Sequence, residues 1–402
     1  MTAENTVNTE NAPVERLRVA VVGCGVIGAQ HAEVVVNTDD LELVALVDVV
    51  ESKAQSLADK VETVLGAARP EVYTSLADAL GAADLDLVAV CTPSGAHAAV
   101  AVAALDAGTH VIIEKPIDVS LTNARLVQDA ADAARERGQV TSIISQHRFD
   151  AGSVAVSRAI EAGRLGTITS GSAAVSWWRS QDYYDSGEWR GTWDLDGGGA
   201  VMNQGVHSVD LLLWFLGKPV EVYAQTALLA HENMEVEDTA VATVRFESGA
   251  LAVVHATTAA YPGLSARLQV HGSAGSAIID NDRLLYFYAA DADPEAADNN
   301  YGIGGTRNQA AHEVGSAEAS ENTRGSDDLQ TAHAKQYLDV LHSIRTGADP
   351  VVGVQEATTA LAVVRALYVS TTLGKPIRIA DVLAGDEYDE VVLVTGGTAV
   401  LR

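Results

Sequence analysis

A glycine-rich hexapeptide near the N-terminus, Gly23-Cys24-Gly25-Val26-Ile27-Gly28, constrains the fold of this chain more than any other feature. It follows the apolar run 18–23 (RVAVVG) and opens a stretch with helical apolar spacing, residues 27–36. In such a turn the first glycine permits a tight bend, the second lets the backbone approach a pyrophosphate, and the third permits close helix–strand packing. Free N–H groups and the helix dipole favour negative charge at that helix N-terminus. The hexapeptide therefore predicts dinucleotide binding at Gly23, Gly25, Val26, Ile27 and Gly28.

Asp48 supports this prediction. It ends the next apolar run, 41–48, about 20 residues after Gly28, where a carboxylate accepts hydrogen bonds from the ribose hydroxyls of NAD. The same carboxylate repels the 2′-phosphate of NADP, and no arginine follows at once. We expect NAD as the cofactor, with NADP disfavoured.

The N-terminal part of the chain alternates short apolar strands with alanine-rich helices. The expected strands are 18–23, 41–48, 85–91, 110–115 and 140–145, and the expected helices include 27–36 and 96–107. Strands that are apolar throughout are typical of a parallel sheet covered on both faces. The fold class predicted here is α/β, with an N-terminal Rossmann doubly wound parallel sheet.

The regular alternation of strands and helices ends after residue 150. A helix at 154–162, a strand at 167–178 and a helix at 200–216 precede a run of strands without long helices between them. These strands are expected at 220–228, 239–246, 250–258, 266–272, 276–280 and 284–289, and two helices follow at 333–345 and 355–373. Such a run predicts a C-terminal α+β domain with a large, mostly antiparallel open sheet.

We therefore expect a disordered lead-in at 1–16, an NAD-binding Rossmann domain at 17–149, and a substrate-binding and oligomerisation domain at 150–385. The latter contains a long acidic loop at 290–328, and its last helix is expected to pack back on the Rossmann domain. Residues 386–402 are expected to form a frayed tail with one possible strand.

Composition excludes several functional classes. Asp and Glu number 54 against 26 Lys and Arg, a net charge of −28, which repels nucleic-acid phosphates and anionic membranes. Two cysteines exclude a disulfide framework and a cysteine-rich zinc site. No apolar stretch reaches the roughly 18 residues of a membrane span, and the polar N-terminus lacks a signal core. We expect a cytoplasmic protein that binds neither nucleic acid nor membrane.

Lys115 is the first candidate for chemistry. It lies in Glu114-Lys115-Pro116 at the end of strand 110–115, and the chain has only six lysines. Strand C-termini of doubly wound sheets face the ligand crevice, so Lys115 is expected at the nicotinamide end of the cofactor. Pro116 is expected to carry a cis bond that aims the lysine. The alternative is a surface lysine whose charged end lies in solvent.

Segment 197–210 (GGGAVMNQGVHSVD) carries the second candidate. On a helix, Asn203 and His207 are i, i+4, and His207 and Asp210 are i, i+3, so the three share a face. The histidine is placed to take up a proton near neutral pH; the alternative is a buried histidine satisfied by Asp210. No second histidine lies nearby at ligand spacing, so we expect no metal. The adjacent apolar face is expected to enter the core: Met202, Val206, Val209 and Leu213.

These elements, in this order, resemble the Gfo/Idh/MocA family of nicotinamide-dependent sugar and cyclitol oxidoreductases. The resemblance runs from residue 17 to about 379 and is carried further by segments 91–116, 145–150, 177–217 and 236–258. It implies that Lys115 and His207 are the catalytic pair for hydride transfer between a secondary hydroxyl of a cyclitol, pyranose or glycoside and nicotinamide. Many members carry Asp where this chain has Asn203, whose amide supplies no charge and is expected to orient or hydrogen-bond the substrate.

The resemblance also implies further site residues. Thr92, Pro93, His97 and Glu114 are expected near the cofactor, although His97 could equally be a cap or packing residue. Residues expected to line the sugar pocket, besides Asn203 and His207, are Arg148, Trp178, Arg179, Tyr183 and Tyr184, whose rings and donors suit sugar faces and hydroxyls. For Trp177, Trp189 and Trp193 we expect core or interface roles.

Other readings stay open at this point. Related proteins include keto-sugar reductases, nucleotide-sugar dehydrogenases and glycosidases that oxidise transiently; a non-catalytic NAD-binding sensor is a further alternative. A nucleotide diphosphate calls for a basic cleft, to which Arg148 and Arg179 could contribute. Strands 239–246 and 250–258 carry apolar residues on both faces, which predicts a homo-oligomer, a dimer or tetramer.

Overall fold

The computed structural model describes residues 16–292, 307–315 and 326–385, with residues 388 and 391. Nearly all of the expected lead-in, most of the expected tail and part of loop 290–328 lie outside the described residues. By its internal contacts the chain divides into two compact units, residues 1–91 and 92–402. This division falls earlier than the boundary expected at 149–150, and the two units are described in turn.

The first unit is a parallel α/β layer. Its strands, in the order β3-β2-β1-β4, are all parallel. Val19, Ala20 and Val21 in the central strand are fully buried, because helices cover both faces of a parallel sheet. The elements are β1 Leu17–Val22, α1 Val26–Val36, β2 Leu41–Val47, α2 Glu51–Thr63, β3 Glu71–Tyr73, α3 Leu76–Ala82 and β4 Leu87–Val90.

The second unit begins in the same alternating pattern. Its first elements are α4 His97–Asp106, β5 His110–Ile113, α5 Leu121–Arg135 and β6 Thr141–Ile143, with β5 and β6 parallel. The Ser142 hydroxyl donates to the Val352 carbonyl over 3.0 Å, which ties β6 to the start of a long C-terminal helix. This contact helps explain why β5 and β6 group with the later part of the chain.

An eight-stranded sheet dominates the rest of the second unit, in the order β13-β12-β11-β7-β10-β9-β8-β14. Strands β7 and β10 pair in parallel and the other neighbours are antiparallel. The strands are β7 Ile168–Ser176, β8 Pro219–Ala227, β9 Thr239–Phe246, β10 Leu251–Thr257, β11 Ala266–Gly272, β12 Gly275–Asp280, β13 Arg283–Ala289 and β14 Ile377–Arg378. The helices are α6 Ala151–Glu161, α7 Gln181–Asp185, α8 Val206–Leu216, α9 Ala310–Val314, α10 Ser326–Thr346, α11 Val354–Leu373 and α12 Ile379–Ala384. The predicted fold class, α/β followed by a mostly antiparallel α+β part, is confirmed.

Helices α8 and α11 cover one face of the large sheet. Along β9 the residues alternate: Ala240, Ala242 and Val244 are buried, whereas Val241 is 49% exposed. The opposite face carries further exposed large apolar side chains, namely Tyr223, Leu251 and Val253.

The structure corrects several expected elements. Residues 200–216 are not one α-helix: Ala200–Gly205 is a π-helix, and α8 follows it. The region 290–328 contains helix α9 and the start of α10. Elements that the pattern did not predict are β3, α7, β14 and α12, all short. In the described part of the chain no helix is long and apolar enough to cross a membrane.

Candidate active site

The glycine-rich turn of the first unit has the shape that a pyrophosphate needs. A Cβ on Gly28 would lie 1.8 Å from the Gly23 carbonyl oxygen, so only glycine lets α1 approach β1 this closely. A Cβ on Gly25 would meet nothing within 4 Å, so the space over the middle of the turn is open. The third glycine thus serves close packing, and the second leaves the open space over the turn that a pyrophosphate site requires.

Asp48 lies beside this turn and is linked to it. Its Oδ2 accepts the Cys24 N–H over 2.8 Å and its Oδ1 accepts the Val50 N–H over 2.8 Å. Each oxygen keeps a lone pair for a further donor. Val26 is 86% and Ile27 38% exposed at the start of α1, an apolar surface beside the turn. The open turn, the helix N-terminus and the carboxylate fit an NAD adenosine diphosphate.

In the second unit, His97 joins two loop segments. Its Nδ1 lies 2.7 Å from the Pro116 carbonyl and its Nε2 lies 2.8 Å from the Thr92 carbonyl. Burial lowers the pKa of His97, and the hydrogen bonds to the two carbonyls oppose that shift. These contacts suit the packing role that was expected as an alternative to cofactor contact. The Lys115–Pro116 bond is cis, as predicted.

Thr92 and Pro93 offer different surfaces. Within the described part of the chain, Thr92 Oγ1 is buried without a hydrogen-bond partner, whereas Pro93 is exposed. A buried hydroxyl without a partner is costly unless a ligand or water satisfies it. Thr92 therefore fits a role in holding a polar ligand.

Lys115 is half-buried and hydrogen-bonded, not a solvated surface lysine. Its Nζ donates to the Asn203 carbonyl over 3.0 Å. Burial lowers the pKa of the Lys115 ammonium, and the charges of Glu114 and Asp196 oppose that shift. Glu114 is buried; its Oε2 accepts the Lys115 N–H and its Oε1 lies 3.4 Å from His333 Nε2.

His207 borders the same small cavity as Lys115, about 20 Å³ in volume, together with Ser145, Asp210 and mostly apolar residues. The ring of His147 meets the His207 ring edge-on, with centroids 5.1 Å apart. Sequence reasoning did not single out His147, although segment 145–150 contains it.

His147 is itself flanked by carboxylates. Its Nδ1 lies 2.9 Å from Asp150 Oδ2 and 3.2 Å from Asp282 Oδ1. Burial raises the pKa of Asp150. Because Asp282 comes from the β12–β13 turn, more than 100 residues away, sequence spacing could not reveal this cluster.

Asp210 has a different partner from the one the helical spacing indicated. Arg148 donates to it from Nε over 2.7 Å and from Nη2 over 2.5 Å, and the Ser145 hydroxyl also donates to it. The Arg148 guanidinium lies 5.4 Å from the Trp214 ring centroid. Arg148, expected to line the sugar pocket, is therefore buried in an ion pair.

The π-helix alters the common helix face that was expected for Asn203, His207 and Asp210. His207 and Asp210 line one pocket, whereas the Asn203 amide Nδ2 donates to Asp196 Oδ1 over 2.7 Å. Asp196 lies just before the three glycines and is 2% exposed. Sequence reasoning missed Asp196, although the run Asp-Gly-Gly-Gly carries it.

Glu237 fixes the start of the π-helix. It accepts the N–H groups of Gly199 and Val201 and the Tyr368 hydroxyl, each over 2.9 Å. A Cβ on Gly199 would lie 1.7 Å from the Glu237 carbonyl oxygen, so this close approach requires glycine. Burial raises the pKa of Glu237 to about 7. The acidic Glu237 within segment 236–258 was a visible signal that the sequence reasoning left unused.

Arginines and aromatic rings interleave in the loop before the π-helix. Arg179 lies over Trp177 and Tyr183, at 5.3 and 5.4 Å, and donates to Gln204 Oε1 over 3.1 Å. Arg190 lies 4.1 Å from the Tyr183 ring and 4.4 Å from the Trp189 ring. Because Gln204 follows Asn203 directly, this cluster adjoins the chain segment that carries His207.

The other aromatic residues divide between surface and core. Trp178 is 39% exposed and meets Tyr261 edge-on. Tyr184 is buried; its hydroxyl pairs with Thr258 Oγ1 over 2.8 Å, and burial raises its pKa. Tyr184 thus supports the loop instead of presenting a free hydroxyl. Trp193 packs against Tyr368, in line with a core role.

Comparison with known proteins places these features in one family. Residues 17–143 match the model described as "Oxidoreductase family, NAD-binding Rossmann fold", and residues 153–278 match the "GFO/IDH/MocA C-terminal domain". The chain is 30% identical over 287 residues to the inositol 2-dehydrogenase of Rhizobium meliloti, covering 69% of this chain and 79% of that protein. It is 32% identical over 204 residues to the D-glucoside 3-dehydrogenase of Escherichia coli, covering 50% of this chain and 55% of that protein.

A solved structure is similar over almost the whole fold. The WlbA dehydrogenase from Bordetella pertussis, in complex with NADH and UDP-GlcNAcA, is 30% identical, with a TM-score of 0.76. The match covers 90% of this chain and 98% of that one. The family models match both the N-terminal and the C-terminal part of the fold, and the glycine-rich turn lies within the NAD-binding match. The chain therefore belongs to the Gfo/Idh/MocA family as an NAD-binding oxidoreductase.

Proposed function

We propose that this chain is an NAD-dependent dehydrogenase that oxidises a secondary hydroxyl of a cyclitol, a pyranose or a glycoside. The observation that carries the proposal is that the Lys115 ammonium lies 3.0 Å from the carbonyl of Asn203, four residues before His207. Lys115 and His207 also border one small cavity, of about 20 Å³. Relatives named inositol 2-dehydrogenase and D-glucoside 3-dehydrogenase support this substrate class.

The two side chains have complementary tasks. His207 takes the proton of the substrate hydroxyl as a general base. Lys115 donates a hydrogen bond to the same oxygen and stabilises the developing alkoxide charge. When bound, NAD supplies the acceptor for the hydride that leaves the substrate carbon.

The groups around the pair hold it in place. Asn203 accepts the Lys115 ammonium through its main-chain carbonyl, so this contact does not depend on the side chain at position 203. The edge-on contact with His147 restricts the His207 ring. A positioned acid–base group of this kind contributes roughly 10² to 10⁴ in rate.

A second candidate, an acidic sugar or a nucleotide-linked sugar acid, is favoured by Arg179 and Arg190. Among the described residues, neither guanidinium has a carboxylate within ion-pair distance, although the chain carries a net charge of −28. Arginines stacked on aromatic rings recognise carboxylate and phosphate well. The match to a dehydrogenase solved with UDP-GlcNAcA supports this alternative.

The test is reduction of NAD⁺ or NADP⁺ by a panel of inositols, pyranoses, glycosides, uronic acids and UDP-linked uronic acids, followed by the absorbance of the reduced nicotinamide. We expect signal with NAD⁺ and a neutral polyol or glycoside. Signal confined to uronic acids moves the assignment to the acidic sugar. If no substrate reduces the cofactor although NAD⁺ binds, the dehydrogenase proposal is contradicted and a sensor is favoured. Release of sugar without net cofactor reduction favours a glycosidase.

If the acidic sugar is the substrate, Arg179→Met and Arg190→Met should each raise KM for the uronate and leave KM for NAD⁺ unchanged. Arg158→Met is a control, because Arg158 lies on α6, outside the arginine–aromatic loop.

A further inference from the structure

Asp196 is a buried carboxylate that the proposed chemistry does not yet use. Both of its oxygens are held: Oδ2 accepts the Gly191 N–H over 2.9 Å, and Oδ1 accepts the Asn203 amide over 2.7 Å. The side chain is 2% exposed. A charge removed from water to this extent is costly unless its partners compensate it.

Asn203 connects this carboxylate to Lys115. Its side-chain amide faces Asp196, and its main-chain carbonyl accepts the Lys115 ammonium over 3.0 Å. Its Oδ1 lies 3.4 Å from Gln204 Nε2. The amide orientation is therefore set by Asp196 on one side and Gln204 on the other, while the amide itself carries no charge.

Among the described residues, charges of both signs act on the two ends of this contact. Lys115 experiences the negative charges of Glu114 and Asp196, and Asp196 experiences the positive charges of Lys115 and Arg190. The charge of Asp196 also acts on the Tyr184 hydroxyl and raises its pKa. Glu114 already bonds the Lys115 N–H and lies near His333, so Asp196 is the counter-charge on the Asn203 side of Lys115.

We propose that Asp196 is a positioning residue that supplies, from the loop, the negative charge that Asn203 lacks on the helix. It fixes the Asn203 amide and keeps Lys115 in its ammonium form while alkoxide charge develops, a role that rests on the function proposed above for Lys115. Asp196 on the loop supplies the charge, and Asn203 on the helix supplies the hydrogen bond, that one carboxylate at position 203 would supply alone.

The ionisation behaviour is consistent with this role. Burial raises the pKa of Asp196 to about 6, against the hydrogen bonds from Gly191 and Asn203 and the charges of Arg190 and Lys115. Asp196 is thus ionised above about pH 6, where the ammonium is required. Burial also lowers the pKa of Lys115, so loss of a neighbouring negative charge should lower it further.

The first experiment compares pH profiles of kcat/KM for the wild type and Asp196→Asn. In the variant the basic limb, which reports loss of the Lys115 proton, should move to lower pH by about one unit. A residue that merely holds the loop would lower kcat/KM by the same factor at every pH, and that outcome overturns the proposal. Asp194→Asn is the matched control, since Asp194 is exposed in the same loop, and its profile should equal the wild type.

A reciprocal exchange sharpens this test. Asn203→Asp alone places two carboxylates where an amide and a carboxylate lay 2.7 Å apart, and such a pair shares one proton. The double variant Asp196→Asn with Asn203→Asp restores one amide and one carboxylate in the opposite order. We expect the double variant to recover the position of the basic limb that Asp196→Asn loses. Failure to recover it, in a protein with wild-type Tm, contradicts a charge role for Asp196.

A measurement without substrate separates this inference from the proposed function. In protein labelled with ¹³C at the aspartate carboxyl, the Asp196 resonance is identified by its loss in Asp196→Asn and then titrated. Replacing the neighbouring cation in Lys115→Met should raise the pKa of Asp196, because a nearby positive charge favours the carboxylate. An unchanged Asp196 pKa overturns the coupling even if the enzyme turns over sugars. A shifted pKa in a protein that oxidises none of the panel leaves the coupling standing and refutes the proposed function instead.

Discussion

Arg148 and Asp210 form a buried ion pair in which two guanidinium N–H groups meet the two carboxylate oxygens, over 2.7 and 2.5 Å. Both residues are 5% exposed. Asp210 lies one turn beyond His207 on α8, so the pair anchors the helix that carries the proposed base. A carboxylate that helical spacing assigned to the histidine is thus held by an arginine from the loop after β6.

Breaking this pair should destabilise the protein. Arg148→Met leaves the Asp210 charge buried without its main partner, and removal of one member of a buried pair costs about 3–5 kcal/mol. We expect a marked fall in the denaturant midpoint of Arg148→Met, measured by circular dichroism. The control is Lys218→Met in the exposed Lys218–Glu247 pair, where a change of at most about 1 kcal/mol is expected. Equal effects of the two variants would show that burial does not set the strength of the Arg148 pair.

Removing the imidazole of His207 should abolish most turnover without unfolding the protein. His207→Ala should lower kcat by roughly 10² to 10⁴, because the hydroxyl proton then has no positioned acceptor. Affinity for NAD⁺, measured by fluorescence, should stay near the wild-type value. His342→Ala removes an exposed imidazole and should leave kcat unchanged. Near-wild-type turnover in His207→Ala would remove His207 from the mechanism.

The two ends of the glycine-rich turn should respond differently to one added methyl group. In Gly25→Ala the new Cβ meets nothing within 4 Å, so the unliganded Tm should be unchanged while the methyl occupies the space for the pyrophosphate. In Gly28→Ala the Cβ would lie 1.8 Å from the Gly23 carbonyl oxygen, so both Tm and NAD⁺ affinity should fall. Calorimetry with and without NAD⁺ checks both. Unimpaired NAD⁺ binding by Gly25→Ala would contradict the ligand role of this turn.

The sequence predicted the strands well where alternation or continuous apolarity was strong. Strands 239–246 and 266–272 were predicted with the bounds observed, because each residue type matches its face of the sheet. The π-helix was not predictable, since the N–H groups of Val201 and Met202 bond Glu237 and Tyr368, which lie far along the chain. The candidate site likewise combines residues that local sequence reveals with residues whose roles depend on distant parts of the chain. Lys115 and His207 stand in local motifs, whereas the roles of Asp196, His147 and Arg148 depend on distant partners.

Glu237 should make the protein less stable as pH rises. Its folded pKa of about 7 lies above the ordinary value of 4.5, so the folded state binds a proton that the unfolded state has released. Stability from this group is therefore fully present below about pH 4.5 and is lost as the pH rises to about 7. The corresponding cost at higher pH is about 3 kcal/mol.

The measurement is Tm from pH 5 to 8 for the wild type and Glu237→Gln, compared as a difference. Asp196, with a pKa of about 6, and buried histidines such as His97 affect both proteins alike and cancel. We expect the wild type to lose Tm relative to Glu237→Gln as pH rises. A constant difference would show that the three hydrogen-bond donors around Glu237 keep it ionised throughout.

The open face of the large sheet should hold copies of this chain together. Tyr223, Val241, Leu251 and Val253 are 41–58% exposed on neighbouring strands, and a contiguous apolar patch on a sheet is typical of an interface. We expect a dimer or tetramer by light scattering, and Leu251→Glu with Val253→Glu should produce monomers, because charged residues facing one another across the interface repel. Val64→Glu is the control, since Val64 is 70% exposed at the end of α2 and belongs to the first unit, which contributes no strand to this sheet. A wild-type monomer at micromolar concentration would show that this face forms no stable contact. An oligomer that survives the double change would show that the contact between copies lies elsewhere.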